Sequence, residues 1–363
     1  MLAHTAKRPS SLRYGTHAAA RVAALWLVLV QIWRWLRRRR IQAMSLRTWE
    51  ESARVAYAYA FIETPWLVEA SLQFGLLRTF AIPSISSLLE KTGGFAHAGV
   101  RRTDSTGLLL QEFFANGARE DAGAVRRRCE HAIRRLNFLH GRYKRSISNA
   151  DLLYVLSVFV CEQLRWEQWY APLLGRTPAQ RDSFFCVWVE IGRMMGIQDI
   201  PATLEELYAY HDRYEETHMK YRKSNQAVVE ATMEILYQKY WVPRALRGLV
   251  LRLAAAFCDE RLRAAAGFPR QPWLMGAVLR ATLLAVYGIA MPIVLPPRPW
   301  DWPRMRAPAD AVGDDDLEKV RTASYFDLKP SPFEQGYRVS QLGSESATAG
   351  RLGNLGILED LSS

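Results

Sequence analysis

Apolar side chains recur at helical spacing through nearly the whole body of this chain, from residue 46 to residue 273. No stretch shows the sustained alternation and tight turns of β-hairpins, so an extensive sheet is not expected. The segment after Ser148 is apolar on nearly all sides, which is typical of a central helix or of the wall of a buried pocket. Further helices are predicted over 121–143, 178–195, 203–221, 224–240 and 243–266. We therefore predict an all-α fold with a single multi-helix domain.

The N-terminus carries an apolar run over residues 18–36, which is long enough for one bilayer crossing if Arg21 and Arg34 reach the interfaces. Four arginines, Arg37 to Arg40, stand where the cleavage site of a signal peptide would be. We predict an uncleaved membrane anchor that leaves the body on the cytosolic side. The acid-free start, with its Arg and Ser residues, also fits a mitochondrial presequence, which is the alternative.

A second apolar stretch begins at residue 274 and is bracketed by Trp273, Trp300 and Trp302. We predict a helix at the membrane interface, although a spanning helix or a core helix would have the same composition. Beyond residue 308, Gly, Ser, Asp and Pro dominate, so we expect a disordered tail and interpret Asp314 to Asp316 as solvated charge. The predicted segments are a basic start (1–17), the anchor (18–40), the helical domain (46–273), the interfacial helix (274–298) and the tail (308–363).

The net charge of +12 comes mainly from the N-terminus, because residues 1–40 hold nine Lys and Arg and no Asp or Glu. The other 323 residues carry only +3, so a groove for nucleic acid is not expected. Four cysteines lie far apart without a CxxC motif, which disfavours a zinc site, covalently attached haem and a disulfide framework. This pattern fits a reducing, cytosol-facing environment.

His140 lies on the apolar stripe of a predicted helix, together with Cys129, Ile133 and Leu136. An imidazole there needs a partner, because an unpaired buried polar group costs on the order of 1–3 kcal/mol. A backbone carbonyl is the commoner partner, and a metal ion is the other, since neutral imidazole is a frequent metal ligand. Spacing alone leaves both interpretations open.

A second histidine pattern, HxxxExxH, places His211, Glu215 and His218 on one helix face. Such a stripe can ligate a non-haem iron. The commoner outcome is a stripe that is solvated or hydrogen-bonded across a helix pair. His211 and His218 are therefore alternative metal ligands to His140.

Several segments, in their order and spacing, resemble one known family. They are 77–89, 99–106, 136–143, 147–154, 214–224 and 259–262, and the similarity extends over most of the body. The chain resembles the endoplasmic-reticulum-bound oxygenases of the MpaB type, which share a catalytic domain with the bacterial rubber oxygenases. The similarity is greater to the MpaB branch.

The resemblance implies a globin-reminiscent helical domain that holds b-type haem through one axial histidine, at the position of His140. It places Arg102 and Thr106 near the haem, and it expects a lysine where this chain has Ser105. The family is proposed to use a glutamate as a base. Glu90 is the nearest candidate in this chain, although its spacing from the other matched residues differs from that in the family.

The chemistry of haem agrees with this set of residues. Haem needs an apolar slot, a neutral nitrogen ligand and cations for its two propionates. The apolar helix after Ser148 could form one wall of the slot. Charge-assisted hydrogen bonds to the propionates could come from Arg101, Arg102, Arg142 and Lys144.

We therefore expect an oxidoreductase, a membrane-bound oxygenase that cleaves a C=C bond of a prenyl or other lipophilic substrate with dioxygen in secondary metabolism. The expected cofactor is haem b, with non-haem iron or no cofactor as alternatives. The expected partners are the lipid bilayer, the substrate and dioxygen, and the expected location is the endoplasmic reticulum membrane. The alternative function is a non-catalytic, membrane-tethered helical protein that binds a lipid or a protein, and Ser105 in place of lysine supports it.

Overall fold

The computed structural model describes residues 10–114, 122–297, 305–306, 319–320 and 339–343, and these are almost entirely helical. The helices are α1 (Ser10–Gln42), α2 (Trp49–Tyr57), α3 (Pro65–Phe80), α4 (Pro83–Thr92), α5 (Gly94–Phe113), α6 (Ala122–Gly141), α7 (Asn149–Tyr170), α8 (Pro178–Met194), α9 (Leu204–His218), α10 (Lys223–Lys239), α11 (Arg244–Phe257), α12 (Glu260–Ala265), α13 (Trp273–Leu283) and α14 (Met291–Val294). Two π-helical turns, Ala58–Glu63 and Leu284–Ala290, follow α2 and α13, and a 3₁₀ turn spans Val339–Gln341. Met305–Arg306 pairs antiparallel with Lys319–Val320. The predicted all-α fold is confirmed.

Side chains that cap the first turn set where several helices begin. Thr48, Thr177 and Thr203 each form a capping box with the Glu or Gln three residues later. Ser148 accepts a hydrogen bond from the backbone N–H of Asp151 at 3.0 Å, as the sequence pattern predicts. These caps satisfy N–H groups that a helix leaves unpaired at its start.

The sequence predicts one helix over 243–266, and here the structure differs. α11 ends at Phe257 and α12 begins at Glu260. Between them, Asp259 accepts a hydrogen bond from the backbone N–H of Leu262 at 2.9 Å and so caps α12. Helical periodicity alone did not reveal this break, because apolar residues continue across it at spacings of three and four: Ala255, Cys258, Leu262 and Ala265.

α7 is the central helix and packs against α3, α8 and α9. Its buried residues occur on all of its faces, which explains why its sequence is apolar almost all round. α5 and α6 pack on each other, but in the described part of the chain neither packs closely on α7. The gap between the α5–α6 pair and α7 opens into the cavity that forms the candidate site.

A buried ion network joins helices that are distant in sequence. Arg78 of α3 donates two hydrogen bonds to Glu215 of α9 and one, at 2.7 Å, to Asp259. Tyr154 of α7 donates to Glu215 at 2.9 Å, and the His211 Nε2 atom lies 3.3 Å from the same carboxylate oxygen. Burial alone would raise the pKa of Glu215, but hydrogen bonds from His211 and Arg78 and the charge of Arg78 hold this pKa well below its usual range. The carboxylate therefore stays ionised inside the protein.

Two helices are long and apolar enough to span a membrane among the described residues: His17–Gln42 within α1, and Trp273–Val294. They meet near the end of the second helix, where Trp26 Nε1 donates to the Val294 carbonyl at 3.0 Å. Arg34 Nη2 also donates to the Leu295 carbonyl, at 2.6 Å. The second helix packs one face on the body, because Gly288 lies directly against the Tyr170 carbonyl. Its other face is exposed.

Most of the predicted tail, 308–363, lies outside the described residues, as do Asp314 to Asp316, Trp300 and Trp302. The described piece 339–343 packs on the body. Val339 and Leu342 are buried in the main core, and Arg135 Nε donates to the Leu342 carbonyl at 2.9 Å. This piece of the C-terminal region therefore contributes to the core beside α6.

Arg78→Met should lower the free energy of unfolding by about 3–5 kcal/mol, because it leaves the buried Glu215 carboxylate without its main counter-ion. Urea unfolding in detergent, followed by circular dichroism, measures the change. Arg261→Met is the matched control, because Arg261 and Glu216 form an exposed pair at 3.5 Å, and it should change stability by less than about 1 kcal/mol. Equal effects of the two substitutions would contradict the assignment.

Candidate functional site

A cavity of about 330 Å³ lies between the α5–α6 pair and helices α3, α4 and α7, with α8 and α10 at its sides. This volume is in the usual range for a small-molecule site. The walls are mainly aliphatic and aromatic, and they include Leu76, Phe80, Leu109, Phe113, Leu139, Leu156, Phe159 and Trp188. The predicted pocket wall is confirmed in α7, which contributes several of these side chains.

One face of α5 runs along the length of the cavity. Arg102, Ser105, Leu109 and Phe113 all line it, at spacings of three and four residues. At 1.5 Å per residue, the stripe from Arg102 to Phe113 extends over about 16 Å. It passes from a polar end at Arg102 to an aromatic end at Phe113, where Trp188 lies edge-on with ring centroids 6.3 Å apart. The cavity is thus elongated, with chemically different ends.

His140 lies in the last turn of α6 and lines the cavity. Burial lowers its pKa to about 4, and the positive charge of Arg102 adds to the effect, so the imidazole is neutral at pH 7. Within the described residues neither ring nitrogen has a hydrogen-bond partner, so the backbone-carbonyl partner that the sequence left open is not found. A neutral imidazole with a free nitrogen in an apolar cavity is chemically suited to ligate a metal.

The four candidate cations occupy different places. Arg102 and Arg142 line the cavity, whereas Arg101 and Lys144 do not. Burial lowers the pKa of Arg102, but a guanidinium stays charged at neutral pH. Arg101 instead donates to the Gln341 carbonyl at 3.3 Å. The structure therefore brings two of the four cations to the cavity.

The hydroxyl groups of α5 are not equivalent. Thr106 lines the cavity but donates its hydrogen bond back to the Arg102 carbonyl at 2.9 Å. Thr103 does the same to the Gly99 carbonyl, also at 2.9 Å. Ser105 is only 2% exposed and its hydroxyl has no partner among the described residues. Ser105 therefore presents an unsatisfied polar group in the wall of the cavity.

Glu90, the candidate base, is exposed on α4 and does not line the cavity. Among the described lining residues, the one carboxylate is Asp151. It accepts hydrogen bonds from the hydroxyls of Ser84 at 2.6 Å, Tyr214 at 2.8 Å and Ser148 at 2.8 Å. These three bonds give Asp151 a structural role at the start of α7.

The alternative ligands His211 and His218 have different surroundings. His211 is fully buried in the ion network and its Nδ1 atom lies 3.2 Å from the Ser157 hydroxyl. His218 is exposed and stacks on Tyr214, with ring centroids 4.2 Å apart. In the described ranges, His, Cys, Asp and Glu form no group of three that could hold a metal ion. The two histidines do not share a site.

Sequence analysis missed the aromatic end of the cavity, where Phe159 of α7 stacks on Trp188 of α8 at 5.4 Å. Asp151 was also not among the predicted site residues, although it lies in the cavity wall. A signal existed for Phe159, because it lies on the same face of α7 as Leu152 and Leu156. No local signal connects Trp188 to the site, since α8 is brought there by packing.

The fold and the site together define an all-helical protein with a mostly apolar cavity, which a neutral histidine and two arginines line. The chain belongs to the family described as ER-bound oxygenase mpaB/B'/Rubber oxygenase, catalytic domain, whose model matches residues 60–288. This confirms the resemblance. The matched range contains α3 to α13, and so both the ion network and the cavity-lining helices.

Curated relatives agree with this assignment. The chain is 28% identical over 279 residues to ER-bound oxygenase mpaB' of Penicillium brevicompactum, which covers 71% of this chain and 62% of that protein. It is 28% identical over 244 residues to ER-bound oxygenase mpaB of Penicillium roqueforti (strain FM164), covering 62% of this chain and 78% of that protein. The chain thus spans somewhat less than two thirds of the length of the first of these relatives.

Asp151→Ala should lower the free energy of unfolding by about 1–3 kcal/mol, because the buried Tyr214 hydroxyl loses its acceptor. Asp151→Asn keeps an acceptor oxygen at the same place and should lose clearly less. Urea unfolding of the two variants in the same detergent measures the difference. Equal stability of the alanine variant and the unmodified protein would show that Asp151 is not needed for structure.

Proposed function

We propose that this protein is a membrane-bound oxygenase, an oxidoreductase that uses haem b held by His140 to cleave a C=C bond of a prenyl or other lipophilic substrate with dioxygen. The single observation that carries the proposal is His140 itself. It is neutral, it has a free ring nitrogen, and it lines the mostly apolar cavity between the helices. Membership of a family described as oxygenases supports the reaction class.

The residues at the cavity fit a haem. The apolar walls suit the macrocycle, His140 suits the iron, and Arg102 and Arg142 suit the propionates. Arg101 does not line the cavity and donates instead to the Gln341 carbonyl of the 339–343 segment. Bound haem would supply the activation of dioxygen, which is chemistry that protein side chains lack.

The side chains of this protein would keep the ligand nitrogen unprotonated, exclude water and orient the bound groups. Burial keeps the proton off His140, so its nitrogen stays a ligand at neutral pH. The hydrocarbon and aromatic walls exclude water and hold an alkene by contact alone. Arg102 and Arg142 place positive charge at one end, which orients a bound dianion such as haem with its carboxylates toward them.

Attachment to the membrane would bring the protein to a lipophilic substrate that is dissolved in the bilayer. The helix Trp273–Val294 turns large apolar side chains outward, among them Leu274, Val278, Val286 and Ile289. Gly276 and Gly288 on its other face lie against backbone carbonyls of the body. α1 joins the end of this helix, so the two exposed apolar surfaces are continuous. Both relatives are named ER-bound, which supports the endoplasmic reticulum membrane. The proposed orientation, with the body in the cytosol, rests on the positive charges that follow the apolar run of the anchor in the sequence.

The haem assignment is tested by the visible spectrum of the detergent-purified protein. The unmodified protein should show a Soret band, and His140→Ala should lose it. The exposed His218 provides the matched control, and His218→Ala should keep the band. A band that survives His140→Ala would overturn this ligand, and absence of the band from the unmodified protein would overturn haem.

The second candidate function is a non-catalytic, membrane-tethered protein that binds a lipid or a protein partner. Ser105 favours it, because the resemblance places a lysine there and this chain offers no lysine among the described lining residues. This candidate predicts purified protein with neither a Soret band nor iron. Iron without a Soret band would instead direct attention to His211 as a ligand of non-haem iron.

Membrane contact of the second helix is tested with spin labels at Val278 and Ile289, which are 56% and 44% exposed. In liposomes, labels at Val278→Cys and Ile289→Cys should be accessible to oxygen and protected from a water-soluble nickel chelate. The exposed Glu205 on α9 is the control site, and a label there should show the reverse. The exposed Cys186 is replaced by Ser in all samples. Nickel access at both helix sites would contradict the proposed contact.

A further inference from the structure

The unsatisfied hydroxyl of Ser105 is unusual for its place in a helix. A buried serine in a helix normally donates back to the carbonyl four residues earlier. Thr103 and Thr106, its neighbours on α5, do this at 2.9 Å, and Ser105 does not. A buried hydroxyl without a partner is destabilising, and such groups in native proteins call for an explanation. A bound ligand in the adjacent cavity provides one.

The position of Ser105 on α5 indicates the chemical class of this ligand. Ser105 lies one turn from Arg102, and Phe113 lies eight residues further on the same stripe, about 12 Å away at 1.5 Å per residue. Between them the lining residues of α5 are Leu109 and Leu110, together with the back-bonded Thr106. Along α5, the path from Ser105 to the aromatic end is therefore long and offers almost no free hydrogen-bonding group.

Trp188 at the aromatic end also has an N–H without an acceptor in the described part of the chain. Its ring is enclosed by Phe113, Phe114, Phe159 and Phe184, with centroids 5.4 to 6.3 Å away. Three of these rings lie nearly perpendicular to the indole, which is one of the arrangements that aromatic pairs favour. That end is therefore suited to the hydrocarbon part of a ligand.

We infer that the substrate is a linear hydrocarbon chain with a hydrogen-bonding oxygen at one end, held by the Ser105 hydroxyl with the chain directed toward Phe113 and Trp188. The inference rests on the proposed function, because it names the substrate class of the same cavity. Ser105 is thus a specificity-determining residue, which favours an alcohol or carbonyl over the bare hydrocarbon.

The test compares two probes with the same isoprenoid skeleton, farnesol and farnesene, by isothermal titration calorimetry in one detergent. Farnesol should bind the unmodified protein more tightly than farnesene does. Ser105→Ala should weaken farnesol binding about three- to tenfold, the usual effect of one lost hydrogen bond, and leave farnesene within twofold. Thr103→Val is the matched control, because Thr103 lines the same cavity with its hydroxyl already bonded, and it should alter neither probe.

The inference is overturned if the unmodified protein does not prefer farnesol, if it binds neither probe, or if Ser105→Ala weakens both probes equally. Haem content is read from the Soret band of the same samples. Absence of that band would contradict the proposed haem-dependent oxygenase. The ratio of the affinities for farnesol and farnesene, in the unmodified protein and in Ser105→Ala, tests the role of Ser105. The two failures are therefore distinguishable.

Discussion

The buried pairing of Arg78 with Glu215 is the interaction on which the arrangement of the helices depends. A guanidinium and a carboxylate removed from water are costly unless each finds its full set of partners. Here those partners come from α3, α7, α9 and the residue that caps α12. These hydrogen bonds join the four elements through one buried network.

The cavity lies beside the helices that this network joins. α3 and α7 pack closely, while α5 and α6 form a separate pair. The space between the two pairs is enclosed by aliphatic and aromatic side chains, which leave little water to stabilise a charged imidazole. His140 lies in this apolar slot, where burial, together with the positive charge of Arg102, lowers its pKa and keeps the imidazole neutral.

The segments that carry the family resemblance divide into two physical groups. Residues 77–89, 147–154, 214–224 and 259–262 contribute Arg78, Tyr154, Glu215 and Asp259 to the ion network. Residues 99–106 and 136–143 contribute Arg102, Ser105 and His140 to the cavity. The segments that resemble the family therefore supply residues both to the ion network and to the cavity. At Ser105 this chain departs from the family pattern, which has a lysine there.

The sequence by itself determined the helical class, the limits of α6, α8, α9 and α10 to within three residues, the apolar character of α7 and the apolar stripe on which His140 lies. Those features follow from spacing of three and four residues, which is a local property. The sequence by itself did not determine the break at Asp259, the exposure of Glu90, the separate surroundings of His211 and His218, or the burial of 339–343 against α6. Each of these depends on contacts between residues far apart in the chain, and only packing decides which buried polar groups find partners and which, like Ser105, face an open space.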